Sequence, residues 1–361
     1  MDETGLERKI RDGIPIRGGV LSDLVLKQRD LSGGLFEGVQ FKSGDLVKAR
    51  LRECVFVGCD FSTARMHGVD LTGSRFLNCD LQRADLSEAV LDNVSFIDVD
   101  AVRANFARVH AWHCSFLNGF LNECRFEHAQ MAFGFFDQTE FGSIDFASAH
   151  LRKVFFHKVD LRGAVFQNAS FDNAIFAQAN LRQQNLERLT MPRCQFIDTD
   201  LGEVNFQFTR LPHCGFTGSI LIGATFDDAY APCANFYRAD AQRVSCRRAD
   251  LTQSVWVDAL AQDGDYFDAS LASSAFHRAA LLGAQFARAN LKGADFSYAS
   301  LAGAAFEDAK FDRTLFHRAQ SEQRSWQGKA GVIDADDELF KAEEWSANRN
   351  SASSTNVKDG K

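Results

Sequence analysis

The sequence predicts an all-β solenoid, a chain wound into about 15 stacked coils of four short units each. Three observations carry the expectation. A large apolar residue recurs at every fifth position, a small residue recurs two places before it, and side-chain identity repeats at an interval of 20.

The first series runs Leu26, Leu31, Phe36, Phe41, Leu46, Leu51, Phe56, Phe61, Met66, Leu71, Phe76, Leu81 and continues to Phe316, 59 units without an inserted or deleted residue. The second includes Ala49, Cys54, Cys59, Ala64, Val69, Ser74, Cys79, Ala84 and Ala89, and later Ala279 to Ala304 in steps of five. A period of five matches neither a helix nor a strand. It matches a coil that turns one corner per unit, with one large and one small side chain pointing inward each time. Four units per coil places residues 20 apart in stacked contact. Phe36, Phe56, Phe76 and their successors to Phe316 then form one column of fifteen aromatics, broken in type only by Trp256. Pro192, Pro212 and Pro232 keep the same interval.

Units such as Ala84-Asp85-Leu86, Ala179-Asn180-Leu181, Ala249-Asp250-Leu251, Ala289-Asn290-Leu291 and Ala294-Asp295-Phe296 resemble the A-(D/N)-L-x-x motif of the pentapeptide-repeat family. The resemblance covers about residues 21–320. It implies a right-handed quadrilateral parallel β-helix, a square rod with Leu and Phe inside. At a coil spacing of ~4.8 Å the rod is on the order of 70 Å long.

A solenoid needs covered ends. Residues 1–20, with Ile10, Ile14, Pro15, Ile16 and the Gly18-Gly19 pair, are expected to cap the first coil. The repeat stops after Gln320, and 321–345 is expected to form a C-terminal cap with a helix over 334–345, whose Leu339, Phe340 and Trp345 seal the last coil. In some members of the family such a helix also joins two rods end to end, so the resemblance implies a monomer or an end-to-end homodimer. Residues 346–361, rich in Ser, Asn and Lys, are expected to be a disordered tail. Two irregularities are expected inside the rod. Gln184 and Leu189 occupy small inward positions, which predicts a bulge or kink, and the central positions Ala231, Ala241, Cys246, Trp256, Ala261 and Tyr266 predict a dent over 231–267.

Composition excludes several classes of function. No stretch approaches the roughly 18 consecutive apolar residues of a membrane-spanning helix, and no membrane association is expected. The first ten residues have no apolar core behind their charges, so no secretory signal is read. Nine cysteines, an odd number, point to a reducing, cytoplasmic setting. Seven of them, Cys54, Cys59, Cys79, Cys114, Cys124, Cys194 and Cys214, fall on the small inward position, where Cys is a compact hydrophobe. No zinc spacing, phosphate loop or dinucleotide fingerprint occurs, and no cofactor or metal is expected. His110 and His150 share a column two coils apart, too far for one metal, and Asp137 with His157 form a stacked pair whose next rung, Ala177, supplies no nucleophile. A smooth rod without inserted loops offers no cleft, and a non-enzyme is expected.

Function is then expected on the side faces. Val57, Leu77, Ile97 and Leu117 follow the Phe column, and Phe135, Phe155 and Ile175 precede it, all at outward positions. They form an apolar stripe, which sheet propensity alone also favours but which on a soluble surface marks a partner site. A second stripe, Asp60, Asp80, Asp100, Glu140, Asp160, Asp200 and Asp240, is acidic, and it coincides with the Asp/Asn position of the repeat. The leading expectation is a non-catalytic scaffold or adaptor that docks a protein along the apolar face. Long proteins of this style resemble those encoded beside bacterial type VI secretion effectors, which implies an adaptor or chaperone role. The alternative is a DNA-mimicking, gyrase-binding protein acting through the acidic stripe, as in the family's topoisomerase protectors. Charge argues against it. With the segment 332–361 set aside the net charge is −5, while duplex DNA of rod length carries on the order of 40 negative charges. No basic face is present, so direct nucleic-acid binding is not expected.

Overall fold

The computed structural model describes residues 3–22 and 24–355. It is a parallel β-solenoid of about 16 coils in which every bridged pair from Ile16↔Phe36 to Ser300↔Gln320 is 20 residues apart. The five residues of one unit account for their own backbone amides. In the unit around Phe61, the Asp60 amide donates to Val39 O in the preceding coil (3.0 Å) and the Phe61 amide to Asp80 O in the next (2.6 Å). The Ser62 amide is taken by the carboxylate of Asp60 (2.8 Å), the Thr63 amide by Gln82 O (2.8 Å), and the Ala64 amide turns back to Phe61 O (2.9 Å). Each position of the motif therefore has a physical reason: a large residue fills the centre, a small one fits the corner, and Asp or Asn closes the turn. The turn places a residue in the left-handed region once per unit, as at Thr63 (φ 58°) and Arg83 (φ 58°), and the inter-coil hydrogen bond made there offsets the steric cost.

The Phe column is buried along its whole length. Phe36 and Phe56 stack at 5.1 Å, Phe116 and Phe136 at 5.1 Å, and Phe296 and Phe316 at 5.0 Å. Rings from the opposite wall meet this column edge-on, as Phe106 does Phe116 at 87°. The face carrying the column, called here the Phe face, differs from the others. From Ile16–Arg17 through Leu35–Glu37 to Gln195–Ile197 it forms a ten-stranded parallel sheet. The preceding face forms a four-stranded sheet of His110–Trp112, Gln130–Ala132, His150–Arg152 and Ser170–Asp172. Elsewhere the coils meet mainly through single bridges. Val55, Val57, Ile97, Ile175 and Ile197 flank the column within the sheet and favour extended backbone; beyond it Gly215 and Asn235 do not.

At the ends the covering side chains are only partly those named from the sequence. Helix α1 (Glu3–Arg11) covers the first coil with buried Leu6 and with Ile10 beside it, Ile16 begins the inward column one coil ahead of Phe36, and Ile14 stays exposed. At the far end the plug is Trp326, which stacks on Phe316 at 4.6 Å. Leu339, Phe340 and Trp345, expected to seal the coil, are 37%, 41% and 63% exposed. Helix α2 (Asp337–Thr355) starts on an Asp336 cap, whose carboxylate takes the amides of Glu338 and Leu339, both at 3.0 Å. It is anchored to the last coil through His317 and Glu343 (3.3 Å), and it continues past Trp345 into the stretch expected as tail. Residues 1–2 of the expected cap and 356–361 of the expected tail lie outside the described residues.

The expected dent over 231–267 is absent. Ala231, Ala241, Cys246, Trp256, Ala261 and Tyr266 are all buried and the ladder there is continuous. Large rings compensate small ones, with Trp256 lying 3.9 Å from Phe236 and edge-on to Tyr266 at 5.5 Å. The irregularity at Gln184 is real, and there the wall of the rod is split.

All nine cysteines are free thiols, and eight are buried. Burial pushes the Cys54 thiol up to about 12 and raises those of Cys114, Cys124 and Cys246. Only Cys233, at a corner, is half-exposed. Titration of the native protein with a thiol-specific chromogenic reagent is expected to count about one reactive group, against all nine after unfolding. Rapid native reaction of three or more would contradict the closed core.

Candidate functional site

Strand alternation fixes where the candidate residues point. Phe56, Phe76 and their successors face inward, so the residues on either side of each face outward. One outward column registers Val57↔Leu77↔Ile97↔Leu117↔Asp137↔His157↔Ala177↔Ile197, and the other registers Ser95↔Ser115↔Phe135↔Phe155↔Ile175↔Gln195. The structure thus brings Val57, Leu77, Ile97, Leu117, Phe135, Phe155 and Ile175 onto one sheet. The apolar band runs along one column to Leu117 and crosses to the other at Phe135. Val57 is exposed and the other six are half-buried by their neighbours. Phe135 and Phe155 stack at 5.2 Å, and His157 lies parallel to Phe155 at 5.7 Å. The Asp137 carboxylate holds that imidazole, Oδ1 to Nδ1 at 2.6 Å. The pair therefore forms as its stacking suggests, and it acts to fix a ring on the band.

The sequence did not single out Trp112. It is 45% exposed and sits at the corner between the four-stranded sheet and the Phe face. Phe133 lies 6.3 Å away, His113 stacks on Phe133 at 4.9 Å, and two cations cover these rings: Arg152 over Trp112 (5.8 Å) and Lys153 over Phe133 (4.9 Å). The only sequence signal was the recurrence of aromatic and cationic residues at 110–113, 130–133 and 150–153, which spans three coils and two faces.

The acidic column is occupied with turn chemistry. Asp60, Asp80, Asp100, Asp160, Asp200 and Asp240 each accept the amide two residues on, from Ser62, Gln82, Val102, Arg162, Gly202 and Gln242 respectively. Asp45, Asp85 and Asp265 do the same on another face. Asp160 is also paired with Arg162 (2.7 Å). Burial, and Asp60 and Asp100 on either side, raise the Asp80 carboxyl above its usual range. Glu140 is exposed, and no bridge joins it to Asp160, so the acidic column is interrupted. Across the rod, coil-to-coil pairs such as Arg103–Glu123 and Arg278–Asp258 interleave positive charge with negative.

His110 pairs with Asp92 (3.1 Å) and His150 with the Ser170 hydroxyl (2.7 Å). Among the described residues no three His, Cys, Asp or Glu side chains converge as metal ligands.

Family models fit the same stretch. The pentapeptide repeat region model matches residues 30–106, and the model of pentapeptide repeats in eight copies matches overlapping segments from 139–178 to 279–318, together more than half of the chain. The chain belongs to the pentapeptide-repeat family. This pentapeptide-repeat protein has no match among curated proteins. Similar solved structures include QnrB1, a plasmid-mediated fluoroquinolone resistance protein (18% identity, 54% of this chain and 90% of that one, TM-score 0.31). Another is a pentapeptide repeat protein of the Arabidopsis thaliana thylakoid lumen (27%, 29% and 70%, TM-score 0.24). A third is HetL, involved in heterocyst differentiation regulation in the cyanobacterium Nostoc sp. (19%, 74% and 89%, TM-score 0.17). Among the described residues of this pentapeptide-repeat protein no helix is long and apolar enough to cross a membrane.

Proposed function

We propose that this chain is a non-catalytic, cytoplasmic scaffold that docks a partner protein along the Phe face, as an adaptor or chaperone for its client. One observation carries the reading. The outward apolar residues from Val57 to Ile175 lie contiguously on the single ten-stranded sheet of the rod, where a flat extended backbone presents them together. Such a patch on a soluble surface favours burial against another protein, and the rings at the Trp112 corner extend it around the edge. The acidic stripe supports the DNA-mimic alternative poorly, since its carboxylates close turns and are interleaved with Arg.

The two surfaces separate by mutation. Tagged protein retains its partner from cell extract, and Leu77→Asp with Ile97→Asp is expected to release it, because a charge in a desolvated interface has no partner. Asp80→Asn with Asp100→Asn keeps the turn acceptors and is expected to leave binding unchanged. Retention by the first double variant together with loss by the second would transfer the function to the acidic face.

A further inference from the structure

The face opposite the Phe face carries a ladder that holds at Asp145↔Val165 and again at Asn185↔Asn205, but Val165 and Asn185 are not paired. In the flanking rungs Phe146 N donates to Val165 O (2.8 Å), Ser148 N to Gln167 O (2.8 Å) and Asn205 N to Gln184 O (2.9 Å). Among the described residues the equivalent amides of Phe166, Asn168 and Asn185 find no acceptor, and the carbonyls of Asn185 and Glu187 receive no backbone donor. Phe166 itself is only 4% exposed.

Gln184 explains the split. Where a hydroxyl occupies the small inward position it donates to a carbonyl 23 residues back, as Thr199 does to Phe176 O (2.8 Å), Thr209 to Leu186 O (2.8 Å) and Ser274 to Leu251 O (2.9 Å). Gln184 makes the same bond from Nε2 to Leu161 O (2.7 Å), with further bonds to Arg162 O (2.7 Å) and Ala164 O (3.1 Å). Its longer side chain wedges the coils apart, and Leu189 fills the next small position. The result is a cavity of about 850 Å³ between 164–170 and 184–190, with Phe166 and Leu189 on its inner side.

We infer that this slot binds an extended peptide, which enters as a replacement rung and pairs with both lips. The complementarity is that of a backbone. Phe166 and Asn168 offer donors from one lip, while Asn185 and Glu187 offer carbonyls and Asn185 an amide from the other, the same groups that pair coil to coil in the flanking rungs. Phe166 is buried, so its unpaired amide is the costly one, and a strand that pairs it also pairs the exposed amides of Asn168 and Asn185. The inward side chain of the peptide meets Phe166 and Leu189 and is therefore apolar, while its flanking residues face solvent. The slot lies across the rod from the Phe face, so the two sites are independent.

The probe is a fluorescein-labelled decapeptide copying one stretch of this chain, Ala-Asn-Leu-Lys-Gly-Ala-Asp-Phe-Ser-Tyr of residues 289–298. Full-length protein is expected to bind it saturably by fluorescence polarisation. Gln184→Ser keeps the carbonyl hydrogen bond with a short side chain, closes the slot, and is expected to weaken binding by roughly tenfold or more. The same peptide with alternate backbone amides N-methylated is expected to lose binding to unaltered protein, a comparison that does not depend on how the variant folds. Hydrogen exchange at Phe166, Asn168 and Asn185 should slow in Gln184→Ser and in the peptide complex. Absence of saturable binding at millimolar peptide, or equal binding by methylated and unmethylated peptides, would overturn the inference. Partner capture through Leu77 and Ile97 is expected to survive Gln184→Ser.

Discussion

Replacing Trp256 with alanine is expected to destabilise the rod by about 3–5 kcal/mol, read as a lowered denaturant midpoint. The cost should fall at the upper end because the site cannot collapse. Trp256 stacks between Phe236 (3.9 Å) and Phe276 (5.8 Å), and the central positions around it are already Ala231, Ala241, Cys246 and Ala261. No neighbour has volume to move into the gap. The indole also ends a buried hydrogen-bond chain. Its Nε1 donates to the Ser254 hydroxyl (2.9 Å), which contacts Ser274 (3.0 Å), which donates to Leu251 O (2.9 Å). Trp256→Phe should cost less, because a ring remains in the stack. Tyr266→Phe should act in the opposite sense, since the buried Tyr266 hydroxyl has no hydrogen-bond partner; removing it is expected to add about 1 kcal/mol. Equal midpoints for Trp256→Ala and Trp256→Phe would mean that packing in this layer does not limit stability. Because a solenoid is held by nearest-neighbour contacts, the lost hydrogen-exchange protection should centre on the coils around Trp256.

The same region explains what could be read in the sequence. Coil number, inward columns and registry follow from a period that never slips, since each unit meets the same steric and hydrogen-bonding demands as the next. The dent was misread because single positions were judged by size, whereas the interior packs by layers: Trp256 and Tyr266 fill what the alanines leave. At Gln184 the misfit was legible, but its outcome depended on which carbonyls the amide would reach, and these lie 20 to 23 residues away in sequence. Helix α1 and the Trp326 plug sit outside the repeat, where no periodicity constrains them. The candidate face was legible as two columns, each repeating every 20 residues. Its crossing from Leu117 to Phe135, and its extension to Trp112 around a corner, required knowing that two neighbouring faces are both true sheets there.

Phe155→Ala is expected to weaken partner binding by about 30-fold, equivalent to about 2 kcal/mol, while leaving the rod folded. The ring stands where the apolar band has already crossed columns, stacked against Phe135 at 5.2 Å on one side and against His157 at 5.7 Å on the other. Asp137 holds the imidazole at 2.6 Å, so the three rings form a pre-ordered surface that loses little side-chain entropy on binding. A partner that buries this centre gains apolar contact with rings already in place, and truncation removes that contact without touching the inward Phe column. Titration calorimetry with the captured partner reads the affinity, and a thermal melt of each variant reads the fold. Phe155→Tyr, which keeps the ring, is expected to retain most of the affinity. His157→Ala should fall between the two, because Phe155 then keeps its stack with Phe135 but loses its second support. If Phe155→Ala binds as tightly as the unaltered protein, the band at this level is only the outer surface of a sheet, and the docking face must be confined to Val57, Leu77, Ile97 and Leu117.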